Sequence, residues 1–502
     1  MIALGAIVAL AAAAAVSPAP SPSPPPAPRA ETTKGTDGTV VELRLDGPLL
    51  GTAFVRRGDR RWLLLLSGPA EDEKPERSCA VEADAAPAPR RKARLHLWDP
   101  AQPADLVTLG GELPEGMLEA ADLDGDGTDE AIVYGEAGIE ELAVDLQAKT
   151  VLAKTIVTGR YTPAERLDPD DRALRAISLG LLSTFRRGEG GALRPTGEVE
   201  LPVRVAPSAT QVRVSTRSVE ALGKLGDGRP RFATPAEPVG VERLRTIVLD
   251  PDGPPDARTY EAWARFPSRE RALEHALVRL DGEPALVVLT TTADKLSLFG
   301  EKRLRVFRLE PDRTRMGAAP KIALETGINL WQPATPTVLD LDGDGREDLV
   351  LAYWKGLKDS IAALEVHRRA PDGSVGGGAT TDFDVEDGDR GFIDFGHDLD
   401  GDGRPDLAVL GGGALLIYPG SPREKAIDRA VGKTPSRRIP LPGDLAHGAS
   451  QTMSFGPEGL SVDRARGSGV PRFLDLDGDG RVEAMFTGET GPGGRVVIVR
   501  FR

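Results

Sequence analysis

One nine-residue acidic phrase occurs four times in this chain of 502 residues. The copies are Asp122-Leu123-Asp124-Gly125-Asp126-Gly127-Thr128-Asp129-Glu130, Asp340-Leu341-Asp342-Gly343-Asp344-Gly345-Arg346-Glu347-Asp348, Asp398-Leu399-Asp400-Gly401-Asp402-Gly403-Arg404-Pro405-Asp406 and Asp475-Leu476-Asp477-Gly478-Asp479-Gly480-Arg481-Val482-Glu483. Each sets carboxylates at positions 1, 3, 5 and 9 and glycines at positions 4 and 6. Carboxylates crowded this closely repel one another unless a cation sits among them. The backbone must therefore turn around a point where oxygens converge, and must do so four times.

Hard divalent cations take oxygen ligands, and Ca²⁺ accepts about six to eight of them at flexible geometry. Glycine at positions 4 and 6 lets the backbone adopt positive φ and curl round such an ion. The predicted ligands are the side chains of Asp122, Asp124, Asp126, Glu130, Asp340, Asp342, Asp344, Asp348, Asp398, Asp400, Asp402, Asp406, Asp475, Asp477, Asp479 and Glu483. The backbone carbonyls of Thr128, Arg346, Arg404 and Arg481 at position 7 join them, for about four Ca²⁺ ions in all. Asp129 and Glu347 at position 8 are expected to face solvent. No His or Cys stands at a ligand position, which argues against zinc. An EF-hand is excluded because its position-12 glutamate is replaced by Val133, Leu351, Val409 and Phe486. For one copy a metal-free Asp/Gly turn is the lesser alternative; four near-identical copies with the same position-9 acid weigh further against it.

These residues resemble the loop of the FG-GAP/VCBS repeat family. Phe395-Gly396, just before the third loop, and Phe455-Gly456 add to the likeness, while the Gly-Ala-Pro signature is absent. The resemblance implies a β-propeller with the loop between the first two strands of a blade, calcium in the loops, and an extracytoplasmic binding or adhesive role. It implies no one partner.

Short apolar runs follow every loop, such as Ala131 to Tyr134 and Leu349 to Tyr353, and read as buried strands. Weaker turns at Asp59, Asp168, Asp227 and Asp281 lack the ligand set and are read as metal-free equivalents. With the four loops they make eight anchors spaced 46 to 77 residues apart. The expectation is an all-β chain, a β-propeller of about eight four-stranded blades or alternatively seven. The terminal run Arg495 to Arg502 is expected to take its outer neighbour from Val40 to Leu45, closing the ring. The best helix candidate is Ser268 to Leu280.

Residues 1–16 form an apolar stretch like a secretory signal, without the usual preceding Lys or Arg. Residues 17–36 read as a Pro/Ser/Ala-rich linker and 37–502 as the propeller. The expected location is secreted, periplasmic or on the cell surface, with no transmembrane segment in the mature chain. Net charge is −14, and four bound calcium ions would bring it to about −6, so the acidity is largely ligand charge. No basic patch interleaved with aromatics is present, which argues against nucleic acid. Cys79 is the sole cysteine and is expected in an exposed loop. The five histidines, His96, His275, His367, His397 and His447, fall in no catalytic motif, and His397 abuts the third loop. Arg57-Gly58-Asp59 matches an adhesion tripeptide, a match that arises readily by chance. The leading function is an exported calcium-binding propeller that acts as a binding, scaffold or adhesion-type protein, its ligand an unknown protein or glycan. The alternative is an exported enzyme acting on polysaccharide or another polymer across one propeller face, for which the sequence names no catalytic residues.

Overall fold

The structure is a computed structural model. It describes residues 27–35, 38–58, 60–69, 93–164, 171–178, 180–188, 191–201, 220–224, 230–234, 237–238, 243–254, 258–265, 270–280, 283–292, 302–308, 322–325, 334–355, 361–372, 374–376, 378–385, 392–426, 428–442, 445, 452–456, 459–463, 471–488 and 494–501. Cys79, His447, the apolar stretch 1–16 and the degenerate anchors Asp59, Asp168, Asp227 and Asp281 lie outside the described residues.

Among the described residues, antiparallel strands joined in chain order make up nearly all of the regular structure, and Arg423–Ala426 is the one short helix. The strand Asp348–Lys355 shows why the sequence reads as a continuous apolar run. Leu349, Leu351 and Tyr353 pack with Ala285, Val287, Leu289, Leu304 and Val306 of the preceding sheet. Val350, Ala352 and Trp354 pack with Leu407, Val409, Leu416 and Tyr418 of the following one. Successive side chains of a strand point to opposite faces, so a sheet wedged between two others must be apolar on both. The same pattern recurs between the other neighbouring sheets of the described core. It ends where Val41, Leu43, Met485 and Ile498 of the terminal sheet meet Leu63, Leu65 and Trp98 of the first meander.

The arrangement is a β-propeller, with five blades rather than the eight or seven expected. The sheets show where regularity is lost. Four are simple four-stranded meanders, beginning at Thr162–Pro163, Glu270–Leu280, Ala334–Leu339 and Ile393–His397. The first two runs of four strands instead merge into one eight-stranded sheet. There the outer strands Leu106–Leu113 and Thr150–Thr158 run parallel, with Thr150 beside Gly110. The sheet between Glu220 and Arg265 has five strands with a side branch, and among the described residues Thr452–Gly456 pairs only with Gly459–Asp463.

Gly38–Arg44 pairs antiparallel with Arg495–Phe501, with Val41 opposite Ile498, so strands from the two ends share one sheet as expected. Arg29–Lys34 adds a fifth strand to it, pairing along Gly38–Arg44. Those residues were assigned to the linker. Polarity misled that reading, because Arg29–Lys34 is an exposed edge strand that needs only backbone partners.

A second correction concerns the helix expected over Ser268 to Leu280. Glu270–Leu280 is a strand, paired with Glu283–Thr292 over its whole length. Leu280 lies opposite Glu283, and the Asp-Gly dipeptide between them in the sequence is a strong two-residue hairpin signal. Helical propensity is a weak prior that sheet pairing overrides.

Candidate metal centres

Each acidic phrase joins the first and second strands of a four-strand run. The second strands Glu130–Gly135, Asp348–Lys355, Asp406–Gly411 and Glu483–Gly488 begin on the position-9 carboxylate itself. A loop that ends in a strand has its last ligand held by a sheet, which fixes one side of the site.

The turn has the same hydrogen bonding in all four copies. The position-1 carboxylate accepts from the N–H groups of both glycines, as in Gly125 N to Asp122 Oδ1 at 2.6 Å and Gly127 N to Asp122 Oδ2 at 3.1 Å. The pairs recur at Asp340, Asp398 and Asp475. Position 3 accepts from the N–H of position 5, and position 5 from that of position 7. The position-9 carboxylate reaches back to the N–H of position 2, at 2.8 Å for Glu130 and Leu123 and 2.8 Å for Glu483 and Leu476. Asp348 and Asp406 do the same for Leu341 and Leu399. All eight loop glycines have φ between 77° and 85°, the left-handed region the sequence required of them.

Carboxylate oxygens of Asp122, Asp124 and Asp126 lie within 4.8 Å of one another, as do those of Asp340, Asp342 and Asp344. In the last two loops the converging groups are Asp398, Asp400 and Asp406, and Asp475, Asp477 and Glu483. Burial and neighbouring like charge oppose ionisation here. Burial pushes Asp406 up to about 6 and Glu483 up to about 7, and the charges of Asp400 and Asp477 add to those shifts. Glu130, Asp348 and Asp400 move the same way, burial first. An all-oxygen donor set with this excess of negative charge fits a hard divalent cation and not a soft one.

Two features of the loops were not read from the sequence. The leucine at position 2 is buried in all four, 3% exposed at Leu123 and 0% at Leu476, and packs into the core shared with the following sheet. Its repetition in every copy was the signal. The second is an arginine from beyond the loop that lies over the position-4 glycine: Arg172 at Gly125, Arg423 at Gly343, Arg481 at Gly401 and Arg61 at Gly478. No such neighbour crowds the position-6 glycines.

Position 8 also differs from expectation. Asp129 is tied to the preceding inner strand: its Oδ2 accepts the Arg56 N–H at 2.7 Å, and its own N–H donates to the Arg56 carbonyl at 2.8 Å. Glu347 is half-buried rather than facing solvent.

The histidines take different places. His96 is fully buried, with Nε2 2.8 Å from Ser67 Oγ and Nδ1 3.0 Å from Thr108 Oγ1. Burial lowers its pKa to about 4, against the pull of Asp46. His367 is buried beside Glu365, 2.8 Å away. His397 ends a first strand, half-exposed, with Nε2 3.4 Å from Asp394 and its ring stacked 4.6 Å from Phe473. Burial pushes Asp394 up to about 6 and His397 down. Among the described residues no helix is long and apolar enough to cross a membrane.

No family model matches the chain, and no curated protein matches its sequence. Solved structures match it at low similarity. Sqt1 from Chaetomium thermophilum is 12% identical, with 91% of this chain and 96% of that one covered at a TM-score of 0.41. The periplasmic gluconolactonase of Pseudomonas aeruginosa is 14% identical over 83% and 99%, at 0.31. An Agrocybe aegerita lectin that recognises non-reducing terminal N-acetylglucosamine is 12% identical over 72% and 90%, at 0.35.

Proposed function

We propose that this chain is an exported, calcium-stabilised β-propeller of FG-GAP/VCBS-like repeats that serves as a binding or scaffold protein. One observation carries the reading. Four loops at equivalent strand junctions adopt one hydrogen-bonding pattern, and in each the oxygens of three acidic residues converge within 4.8 Å. Positions 1, 3, 5 and 9 would supply the carboxylates, and the carbonyls of Thr128, Arg346, Arg404 and Arg481 would complete the shell. The bound ion supplies positive charge that offsets the repulsion of its ligands. The chain's own part is to hold the oxygens in place, through the glycine N–H groups, the position-2 leucine and the strand that starts at position 9.

Calcium here is structural. Extracellular sites of this ligand type bind at about 10⁻⁴–10⁻³ M, a range suited to an exported protein. An ion at a hundred times its Kd, about 10–100 mM for that range, stabilises the folded state by about 2.7 kcal/mol per site. Several such sites weigh heavily against a domain stability of about 5–15 kcal/mol. Scanning calorimetry of the full chain should therefore show a fall in Tm of many degrees in excess chelator, reversed by added Ca²⁺. An unchanged Tm refutes the structural role. Its ligand is a protein or a glycan, to be sought by array screening with and without calcium.

The enzyme reading has one observation in its favour, the Asp394–His397 pair at the end of a first strand. Its test is hydrolysis of a polysaccharide panel by the wild type and by Asp394→Asn. Turnover that the variant loses would favour it, and no turnover would leave the binder as the function.

A further inference from the structure

We infer that the four loops are a graded calcium series, with the loop at 122–130 the tightest site and arginines weakening the other three. This rests on the calcium reading above and concerns how the chain's own side chains set the affinities.

The loops match in backbone but differ in the guanidinium groups on their ligand carboxylates. In the second loop, Arg346 pairs with Asp344, and Arg368 Nη2 lies 2.9 Å from Asp342 Oδ2. In the third, Arg404 pairs with Asp402. In the fourth, Arg61 Nη1 lies 3.4 Å from Asp475 Oδ2 and Arg500 Nη2 3.5 Å from Asp477 Oδ2. Arg172 lies over Gly125 of the first loop and the charge of Arg187 acts on Glu130, yet among the described residues no arginine or lysine forms an ion pair with Asp122, Asp124, Asp126 or Glu130. Position 7, which carries the pairing arginine in the second and third loops, is Thr128 in the first.

A guanidinium paired with a carboxylate and a cation compete for the same oxygen lone pairs. Loading a loop whose ligand carboxylates are so paired must break those ion pairs, whereas the first loop has none to break. Its far side is also pinned in advance. Thr128 bridges to Arg57, and Asp129 exchanges two hydrogen bonds with Arg56, so positions 7 and 8 are held against the strand Leu49–Arg57. Less ordering is then left for the ion to impose. The arginines of the other loops serve as built-in counter-charges when calcium is scarce, so the propeller loses its ions in sequence rather than all at once.

The test is calorimetric titration of the chelator-stripped full chain with CaCl₂. The expected result is one tight class of a single ion and a weaker class about tenfold lower in affinity, since exposed ion pairs are each worth roughly a factor of a few. Asp124→Asn should abolish the tight class alone. Thr128→Arg should move that ion into the weak class, and Arg346→Thr should move one weak ion toward the tight class. The last two act in opposite directions, so misfolding cannot imitate both. Four ions of one affinity, unmoved by either arginine exchange, would overturn the series while leaving calcium binding intact. No calcium uptake at all would overturn both readings.

Discussion

At the scale of single residues, each loop position has its own physical reason. Position 6 is glycine for backbone geometry alone: Gly127 has φ 84° and nothing crowds a Cβ placed there. An L-residue in the left-handed region loses about 1–2 kcal/mol, so Gly127→Ala should lower stability by about that much in chemical denaturation. Position 2 is leucine for packing. Leu123→Ala empties a site in the core shared with the next sheet, and such truncations lose about 2–5 kcal/mol. If the alanine at position 6 proves the costlier change, the loop is held by its turn and not by its anchor. The glycines and carboxylates were legible because turn chemistry is local. The leucine was equally visible but was passed over, since an apolar residue between two aspartates has no meaning until its buried face is known. Asp129 was misread for a related reason, because its partner Arg56 lies 73 residues away.

Among the elements, the strands that carry no loop show a second way of handling buried charge. Glu270 begins a first strand and is 4% exposed, with Arg305 Nε 2.6 Å from its Oε2 and Thr290 Oγ1 at 2.8 Å. Burial would raise the Glu270 pKa, but the hydrogen bonds and charge of Arg305 outweigh it and hold the group below its ordinary value. Breaking such a pair from one side strands a buried charge, which costs about 3–5 kcal/mol. Glu270→Ala should therefore destabilise the chain by that order in urea, and Glu270→Ala/Arg305→Met should recover much of it. A single variant of wild-type stability would show that the pair is slack. Charges such as these made Glu270–Leu280 look like a surface helix. The strand pattern was hidden because its first charge, Glu270, is satisfied by Arg305 and Thr290 of neighbouring strands.

For the molecule as a whole, closure is the feature on which the rest leans. Gly38–Arg44 covers the edge of Arg495–Phe501, whose Val496, Val497, Ile498 and Val499 are fully buried. Removing residues 1–44 would leave that edge open, and an apolar open edge is a template for pairing with other chains. The truncated chain should aggregate or elute as oligomers in size-exclusion chromatography, even in calcium. A monomer of normal Tm would mean that the ring does not depend on this seam. The terminal pairing was readable in advance because the last run lacked an outer partner and an apolar run stood near the start. Blade number was not readable. Regular anchors gave eight, yet merging at Gly110 and Thr150 and the branched sheet from Glu220 to Arg265 depend on where outer edges meet, which no repeat spacing encodes.

The amino-acid order alone determined the strand-forming runs and the acidic turns, because steric freedom at glycine, side-chain alternation and repulsion among near carboxylates act within a few residues. Tertiary structure decided which groups face those turns. Arg61 reaches Asp475 across 414 residues, and Leu476 finds its core among strands from both ends of the chain. Contacts of that range depend on the closed packing of sheets, so their effect on each site appears only once the ring is formed.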